Sequence, residues 1–405
     1  MKPVAAFAGI LAASLLVACR GKPPVRGDEA VGLLVDSLVP AVERATGLRF
    51  LQRPQYAVRS REEVRAYVLN KLEQELPPKK AAGLQATYRL LGLLPDTLDL
   101  RALLLELFTE QIVGYYEPDS STLFVVANAD PAFLRAVVAH ELVHSLQHQH
   151  LPLDSIMDQE GDSDRLLAAQ AILEGQATLA GLQVMVPDQN LYAMPEFWET
   201  YREQFRTQQV AMPVFTKAPR ILRESVIFPY LAGADFLRWW AGSEHRGRPP
   251  FGPLMPVSTE QIIHPHRFGA GDRPITLRFV GPGQGVMYED VFGEFDMRVL
   301  AMDLADATVT AEITTPLAVG WGGDRFRIYE SPDGPAMLWY IVWDDETSRS
   351  RWLAGSGQRL ETRRPLGYRL EITSLHVAGH PASRITLAPE PWLGWGHPAA
   401  VEIVR

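Results

Sequence analysis

Residues 139–150, with the sequence AHELVHSLQHQH, constrain the fold of this chain more than any other stretch. His140 and His144 lie four residues apart, so on a helix their side chains share one face, about 5 to 6 Å apart at Cβ. Two neutral imidazoles suit Zn²⁺, and the carboxylate of Glu141 lies beside them, where it can take a proton from water. This HExxH pattern predicts a zinc-binding helix, although an amphipathic helix that merely carries two histidines has the same pattern.

The third zinc ligand is expected on a second helix, which starts near Asp164. Glu174 stands there among small and apolar residues, where a carboxylate is costly to bury unless it is paired or bound to metal. His150 is the alternative, because its distance from His144 is that of the third histidine in HExxHxxGxxH zinc proteases. Those proteins have a glycine at the position of Gln147, whereas a helix that continues through Gln147 turns His150 away. We therefore favour Glu174 as the third ligand.

The overall composition is that of an ordinary globular protein. The chain has 405 residues, of which 47% are hydrophobic and 21% are charged, and its formal net charge is −9. A protein that neutralises nucleic-acid phosphates needs a basic face, and the sequence shows none. We expect no nucleic-acid partner, and the sequence indicates no particular oligomeric state.

The first 18 residues have the pattern of an export signal. Lys2 supplies the positive charge, and residues 4–18 are almost wholly apolar or small but too few to span a membrane. The segment Leu-Val-Ala-Cys that ends at Cys19 resembles a bacterial lipobox, in which the cysteine becomes the lipidated first residue. Cys19 is the only cysteine, so the chain has no internal disulfide. We expect residues 19–27 to form a lipidated tether; an ordinary signal peptide with a stray cysteine is the alternative.

The pattern of apolar and turn-forming residues predicts a mixture of helices and strands. A β-hairpin is predicted over 111–128, either as a shelf for an extended peptide or as a purely structural element. The aromatic-rich segment after Pro187 suits both a groove lining and an ordinary core.

The Gly-Gly-Asp group at 322–324 is predicted to form a tight turn rather than a binding loop. Helices are predicted at about 29–46, 61–75, 79–93, 98–111, 131–150, from 164, from 223 through 240 and 291–304, and later strands at 325–330, 337–343, 367–373 and 383–388.

Four further motifs accompany the HExxH helix. They are GYYEP at 114–118, ILEGQAT at 172–178, FPY at 228–230 and PVSTEQIIHP at 256–265. In this order they resemble a family of bacterial and archaeal zincin-like predicted metallopeptidases. The resemblance implies a gluzincin arrangement, in which the glutamate of the Glu-Gly-x-Ala helix, here Glu174, completes the metal site. The chain departs from the family at His148 and Gln176, where acidic residues are usual.

The expected fold class is α+β. We expect a mainly helical, zincin-like domain with a β-hairpin over residues 28–270, and a smaller α+β accessory domain over 271–405. The resemblance covers about 110–270 and carries no catalytic motif into the second part. The two parts show no internal repeat.

The expected activity is zinc-dependent hydrolysis of peptide bonds in a protein or peptide substrate. His140, His144 and Glu174 would bind Zn²⁺, and Glu141 would take the proton of the attacking water and pass it to the leaving amine.

A tetrahedral oxyanion needs a donor besides the metal, and Tyr230 and His264 are candidates by their positions in the resembled motifs. Both residues also have purely structural interpretations. The protein is expected to be held at the bacterial cell envelope, on the outer membrane, through Cys19.

Two other functions fit the same residues. One is a non-catalytic envelope lipoprotein that uses a zincin fold for binding or assembly, since a fold and a motif do not prove turnover. The other is a structural zinc site in which His148 or His150 closes the fourth position.

Overall fold

The computed structural model describes residues 28–281, 283–305 and 315–404, which form a mixed α+β protein, as the sequence predicted. The predicted signal segment, residues 1–18, and the tether at 19–27 with Cys19 lie outside the described residues. Within the described ranges, no helix has both the length and the apolar character that a membrane span requires.

The predicted helices and strands are present to within a few residues at most ends, and several short elements are added to them. The helices are α1 (Asp28–Thr46), α2 (Arg61–Glu75), α3 (Pro78–Leu90), α4 (Leu100–Gln111), α5 (Pro131–His150), α6 (Leu153–Met157), α7 (Ser163–Met185), α8 (Pro195–Val210), α9 (Pro213–Lys217), α10 (Arg220–Gly242), α11 (Thr259–Ile263), α12 (Pro265–Gly269), α13 (Gly293–Leu304), α14 (Glu346–Trp352) and α15 (Gln358–Arg363). The strands are β1 (Gln55–Arg59), β2 (Gly114–Glu117), β3 (Thr122–Val126), β4 (Leu277–Phe279), β5 (Val286–Asp290), β6 (Trp321–Tyr329), β7 (Ala336–Trp343), β8 (Tyr368–Val377), β9 (His380–Pro389) and β10 (Val401–Ile403).

The predicted hairpin is confirmed as β2 and β3, which pair antiparallel within a three-stranded sheet of order β1-β3-β2. Strand β2 is an edge of this sheet and passes closely over α5. A Cβ atom added at Gly114 would lie 2.7 Å from Val137 Cγ1 and 3.7 Å from Glu141 Cγ. Because glycine has no Cβ, the strand can lie directly against the helix turn that carries Glu141.

Helices α7 and α10 cross in direct backbone contact. A Cβ atom added at Gly233 would lie 1.8 Å from the carbonyl oxygen of Ala171, and one added at Gly175 would lie 2.3 Å from the carbonyl carbon of Gly233. Only glycine fits at either position, which explains the glycine that follows Glu174 in the sequence. Tyr230 lies about one turn before Gly233, so the crossing brings the turns that carry Glu174 and Tyr230 side by side.

The aromatic-rich segment after Pro187 contributes to the core through α8. Trp198, Tyr201 and Phe205 are buried in the largest hydrophobic cluster, whereas Tyr192 is 43% exposed. Of the two interpretations that the sequence left open, core packing therefore describes the buried part of this segment.

A five-stranded antiparallel sheet of order β5-β6-β7-β9-β8 dominates the later part of the chain. Its buried face shares a hydrophobic cluster with the helices of residues 28–270. The rings of Phe228 and Phe295, one from each part, have centroids 4.4 Å apart. The two parts are therefore packed around one common core.

The prediction of a tight turn at 322–324 was wrong, because these residues lie inside β6 at an irregularity in its pairing with β7. Gly323 has a φ of +154°, and a Cβ there would lie 2.2 Å from the carbonyl oxygen of Ile275. Asp324 is buried and accepts hydrogen bonds from the backbone N–H groups of Phe292 and Gly293 and from two tryptophan indoles. The Gly-Gly-Asp group thus anchors the start of α13 to the sheet.

Candidate metal centre

The HExxH residues lie in the middle of α5, and their side chains are almost completely enclosed. His140 is 4% exposed, His144 is 5% exposed and Glu141 is fully buried. Glu174, from the middle of α7, is 2% exposed. All four side chains are therefore buried in this structure.

Three donor atoms converge on one point between the two helices. His140 Nε2 lies 3.0 Å from Glu174 Oε2, His144 Nε2 lies 3.1 Å from His140 Nε2, and His144 Nε2 lies 3.4 Å from Glu174 Oε2. Zinc bonds to nitrogen and oxygen are about 2.0–2.2 Å long, which puts the ligand atoms of a tetrahedral site about 3.3–3.5 Å apart. The observed separations are close to this spacing, and these residues form a group that can hold a metal ion.

Unpartnered polar atoms mark the same point. Glu174 Oε1 is buried and has no hydrogen-bond partner, and the buried carboxylate of Glu141 has only the backbone N–H of Tyr116 close enough to affect its pKa through a hydrogen bond. A buried carboxylate oxygen without a partner is costly in a folded protein. A cation with a water ligand would satisfy these atoms, so the donor set and its surroundings fit a bound metal ion.

The two later histidines of the motif point elsewhere. Helix α5 continues through Gln147 to His150, whose Nε2 lies 2.7 Å from the carbonyl oxygen of Arg49 near the surface. His148 Nδ1 lies 2.8 Å from the hydroxyl of Tyr116. Among the described residues, the convergent group contains neither histidine.

The two proposed oxyanion donors occupy different places. The Tyr230 ring is buried and stacks on the His140 ring, with centroids 5.8 Å apart. His264 Nε2 lies 2.9 Å from both Glu294 Oε1 and an Nη atom of Arg298, and both partners belong to α13. The structure therefore brings the Tyr230 ring against one proposed ligand, while the described hydrogen bonds of His264 connect it to α13.

Comparison with known proteins gives one match. Residues 282–376 match a family model described as a domain of unknown function, DUF8575. No curated protein matches the chain, and no solved structure matches it. The matched segment contains none of the side chains that converge at the centre, so the chemistry of the centre rests on its own geometry.

Sequence reasoning missed one residue of the centre, Gln147. This side chain is 1% exposed, and its Oε1 lies 2.8 Å from His144 Nδ1. Its Nε2 donates to the carbonyl oxygen of Leu173 at 2.9 Å and to Gln176 Oε1 at 3.0 Å. The available signal was the spacing of three residues from His144, which places both side chains on one helix face.

Burial and charge pairing set the protonation of the metal-free centre. Burial raises the pKa of Glu141 to about 8. Burial alone would lower the pKa of His144, but Glu174, Glu141 and Gln147 together raise it to about 9. Burial alone would raise the pKa of Glu174, but His144 and His140 together lower this pKa to about 2. The pKa of His140 is lowered, chiefly by burial. Without a metal ion, Glu174 and His144 therefore form a buried ion pair beside a protonated Glu141.

These pKa values predict that the metal-free protein loses stability as the pH rises, from about 4.5 to about 8 through Glu141 and from about 6.5 to about 9 through His144. Glu141 and His144 both hold a proton more tightly in the folded state than their usual values of 4.5 and 6.5 imply. Each raised pKa stabilises the folded state fully at a pH below the pKa of the group in the unfolded chain. This stabilisation is lost as the pH rises through the pKa of the group in the folded protein. The slope is at most about 1.4 kcal/mol per pH unit for each group.

Thermal unfolding in the presence of a chelator, measured across this pH range, checks the prediction. The Glu141→Gln variant should show a shallower fall than the wild type, since it removes one of the groups whose pKa is raised in the folded state. A midpoint temperature that stays constant or increases over the range contradicts the prediction.

Proposed function

We propose that this protein is a zinc-dependent peptidase whose metal is held by His140, His144 and Glu174. The observation that carries the proposal is the convergence of two imidazole nitrogens and a buried carboxylate at separations close to those of a tetrahedral zinc site. Three protein ligands leave one position for a water or substrate, as in catalytic zinc sites. The motif resemblance to zincin-like predicted metallopeptidases supports the same conclusion.

Zinc bound there would act as a Lewis acid that polarises a peptide carbonyl and makes a water molecule more acidic. The two histidines and Glu174 would hold it between α5 and α7. Their enclosure in an apolar setting strengthens every electrostatic interaction at the site.

Glu141 is the proposed general base. Its carboxylate belongs to the same turn as His140 and is fully buried, with the backbone N–H of Tyr116 nearby. As the water oxygen bonds to the carbonyl carbon, Glu141 takes the proton, and it later gives the proton to the amine nitrogen as the C–N bond breaks. Proximity to the zinc charge would favour the ionised form that this role needs.

Tyr230 is the proposed hydrogen-bond donor to the developing oxyanion, because its ring already lies against His140. His264 has no role in the proposed chemistry, since its Nε2 is engaged by Glu294 and Arg298. It instead links the segment after α11 to α13.

The proposed substrate is a protein or peptide, and edge strand β2 offers it a surface. This strand lies against the turn of Glu141, so an extended chain that pairs with it would pass the general base. We further propose that the protein is exported and anchored at the bacterial cell envelope through lipidated Cys19, as its lipobox-like sequence predicts.

The near-complete burial of the centre favours a second candidate, a non-catalytic envelope lipoprotein that uses the same fold for binding or assembly. A peptide substrate would have to reach side chains that are each at most 5% exposed. Cleavage of a proteome-derived peptide mixture, followed by mass spectrometry, separates the two candidates. A peptidase yields products that disappear with a chelator and return with zinc, whereas a zinc-loaded protein that yields none supports the binding role.

A further inference from the structure

Gln147 connects the two helices of the centre. Its side-chain oxygen contacts the Nδ1 of His144 at 2.8 Å, on its own helix α5. Its side-chain nitrogen donates to the carbonyl of Leu173 at 2.9 Å and to Gln176 at 3.0 Å, both on α7. Leu173 directly precedes Glu174 in the chain. The Gln147 amide therefore connects His144, one proposed ligand, to the peptide bond that precedes Glu174, another proposed ligand.

These contacts determine which nitrogen carries hydrogen when the His144 imidazole is neutral, as it is when it binds a metal ion. The Leu173 carbonyl can only accept a hydrogen bond, so the nitrogen of the Gln147 amide must face it. The oxygen of that amide therefore faces His144, and it too can only accept. It follows that His144 Nδ1 carries the hydrogen and donates it, which directs Nε2 toward His140 and Glu174.

We propose that Gln147 is a positioning residue that fixes His144 as a ligand through Nε2 and sets its separation from Glu174 before a metal ion binds. This inference rests on the proposed metal site and names the residue that organises it. A metal-bound histidine is commonly oriented by a hydrogen bond at its other nitrogen, and loss of that bond lowers metal affinity by about 10- to 100-fold. Here the same amide also holds the two ligand-bearing helices together.

The substitution Gln147→Met removes all three hydrogen bonds and nearly preserves the side-chain length. The Leu173 carbonyl lies within α7 and keeps its helical partner, the N–H of Ala177, so it is not left unsatisfied. Gln149→Met is the matched control. Gln149 lies two residues further along α5, on a different face, and contacts the backbone of Leu51 and Gln52.

The first measurement is the zinc affinity of the full-length protein, from competition with a chromogenic chelator. We expect Gln147→Met to lower the affinity by about 10- to 100-fold and Gln149→Met to change it by less than about threefold. An unchanged affinity in Gln147→Met overturns the inference.

The second measurement is the ¹⁵N spectrum of histidine-labelled, metal-free protein, at a pH high enough to keep the imidazoles neutral. In the wild type His144 should carry hydrogen at Nδ1, and in Gln147→Met it should become a mixture of both tautomers. A wild-type His144 with hydrogen at Nε2 overturns the inference even if the variant fails to fold. An unchanged tautomer in a folded Gln147→Met overturns it as well.

The two proposals fail in different ways. A wild-type protein that binds no zinc refutes the proposed metal site, yet the metal-free spectrum still decides whether Gln147 fixes the His144 tautomer. If the wild type binds zinc and the Gln147→Met variant has the same affinity and tautomer, the proposed metal site is supported and only the proposed role of Gln147 is refuted.

Discussion

The Glu141→Gln variant should lose peptide hydrolysis by about 10²- to 10⁴-fold while it binds zinc as tightly as the wild type. Glutamine has almost the shape of glutamate but cannot take a proton from water at neutral pH. Burial raises the pKa of Glu141 to about 8, so the metal-free fold already holds this side chain in a neutral form and the neutral amide should not weaken the fold. The measurement is the initial rate of cleavage of a peptide that the wild type cuts, at full zinc occupancy.

Glu160→Gln is the matched control for this substitution, because Glu160 is exposed and lies in the loop before α7. It should keep wild-type hydrolysis. If Glu141→Gln retains more than about a tenth of the wild-type rate with zinc bound, Glu141 is not the general base.

The Glu174→Gln variant should lose zinc binding. Structural zinc sites have apparent binding free energies of about 10–16 kcal/mol for four ligands, which corresponds to roughly 2.5–4 kcal/mol for each ligand. Loss of one charged ligand should therefore lower the affinity by about 10²- to 10³-fold. The same chelator competition measures this loss, with circular dichroism to confirm that the variant is folded.

His150→Gln is the informative partner of Glu174→Gln, because the sequence offered His150 as the alternative third ligand. His150 is exposed and contacts the carbonyl oxygen of Arg49, so its substitution should leave zinc affinity unchanged. The opposite result, a loss of zinc in His150→Gln and none in Glu174→Gln, would show that the chain leaves the helix after His144 when metal binds.

Local sequence patterns anticipated much of the fold. The helix predicted over 61–75 is α2, which begins after a capping box formed by Ser60 and Glu63, and α5 has the predicted bounds, 131–150. The patterns also suggested Glu174, since a carboxylate among small apolar residues needs a partner. The structure places this carboxylate with His140 and His144.

Contacts between distant segments account for what the sequence did not reveal. In the sequence, Gly233 resembles any other helix residue. Only the backbone contact with α7 shows that no larger residue fits there. Gln147 was considered only as a departure from a glycine position, because its acceptor at Leu173 lies on another helix. Gly323 suited a turn equally well, and only the approach of Ile275 shows why glycine is needed within the strand.

The central claim is that one zinc ion binds between α5 and α7 with three protein ligands and one open position. An anomalous difference map, recorded at the zinc absorption edge from a crystal of the zinc-loaded protein, tests it most directly. We predict a single peak ligated by His140 Nε2, His144 Nε2 and the Glu174 carboxylate, with a solvent molecule as the fourth ligand. A peak with a fourth protein ligand such as His148, or a peak away from Glu174, would contradict the account.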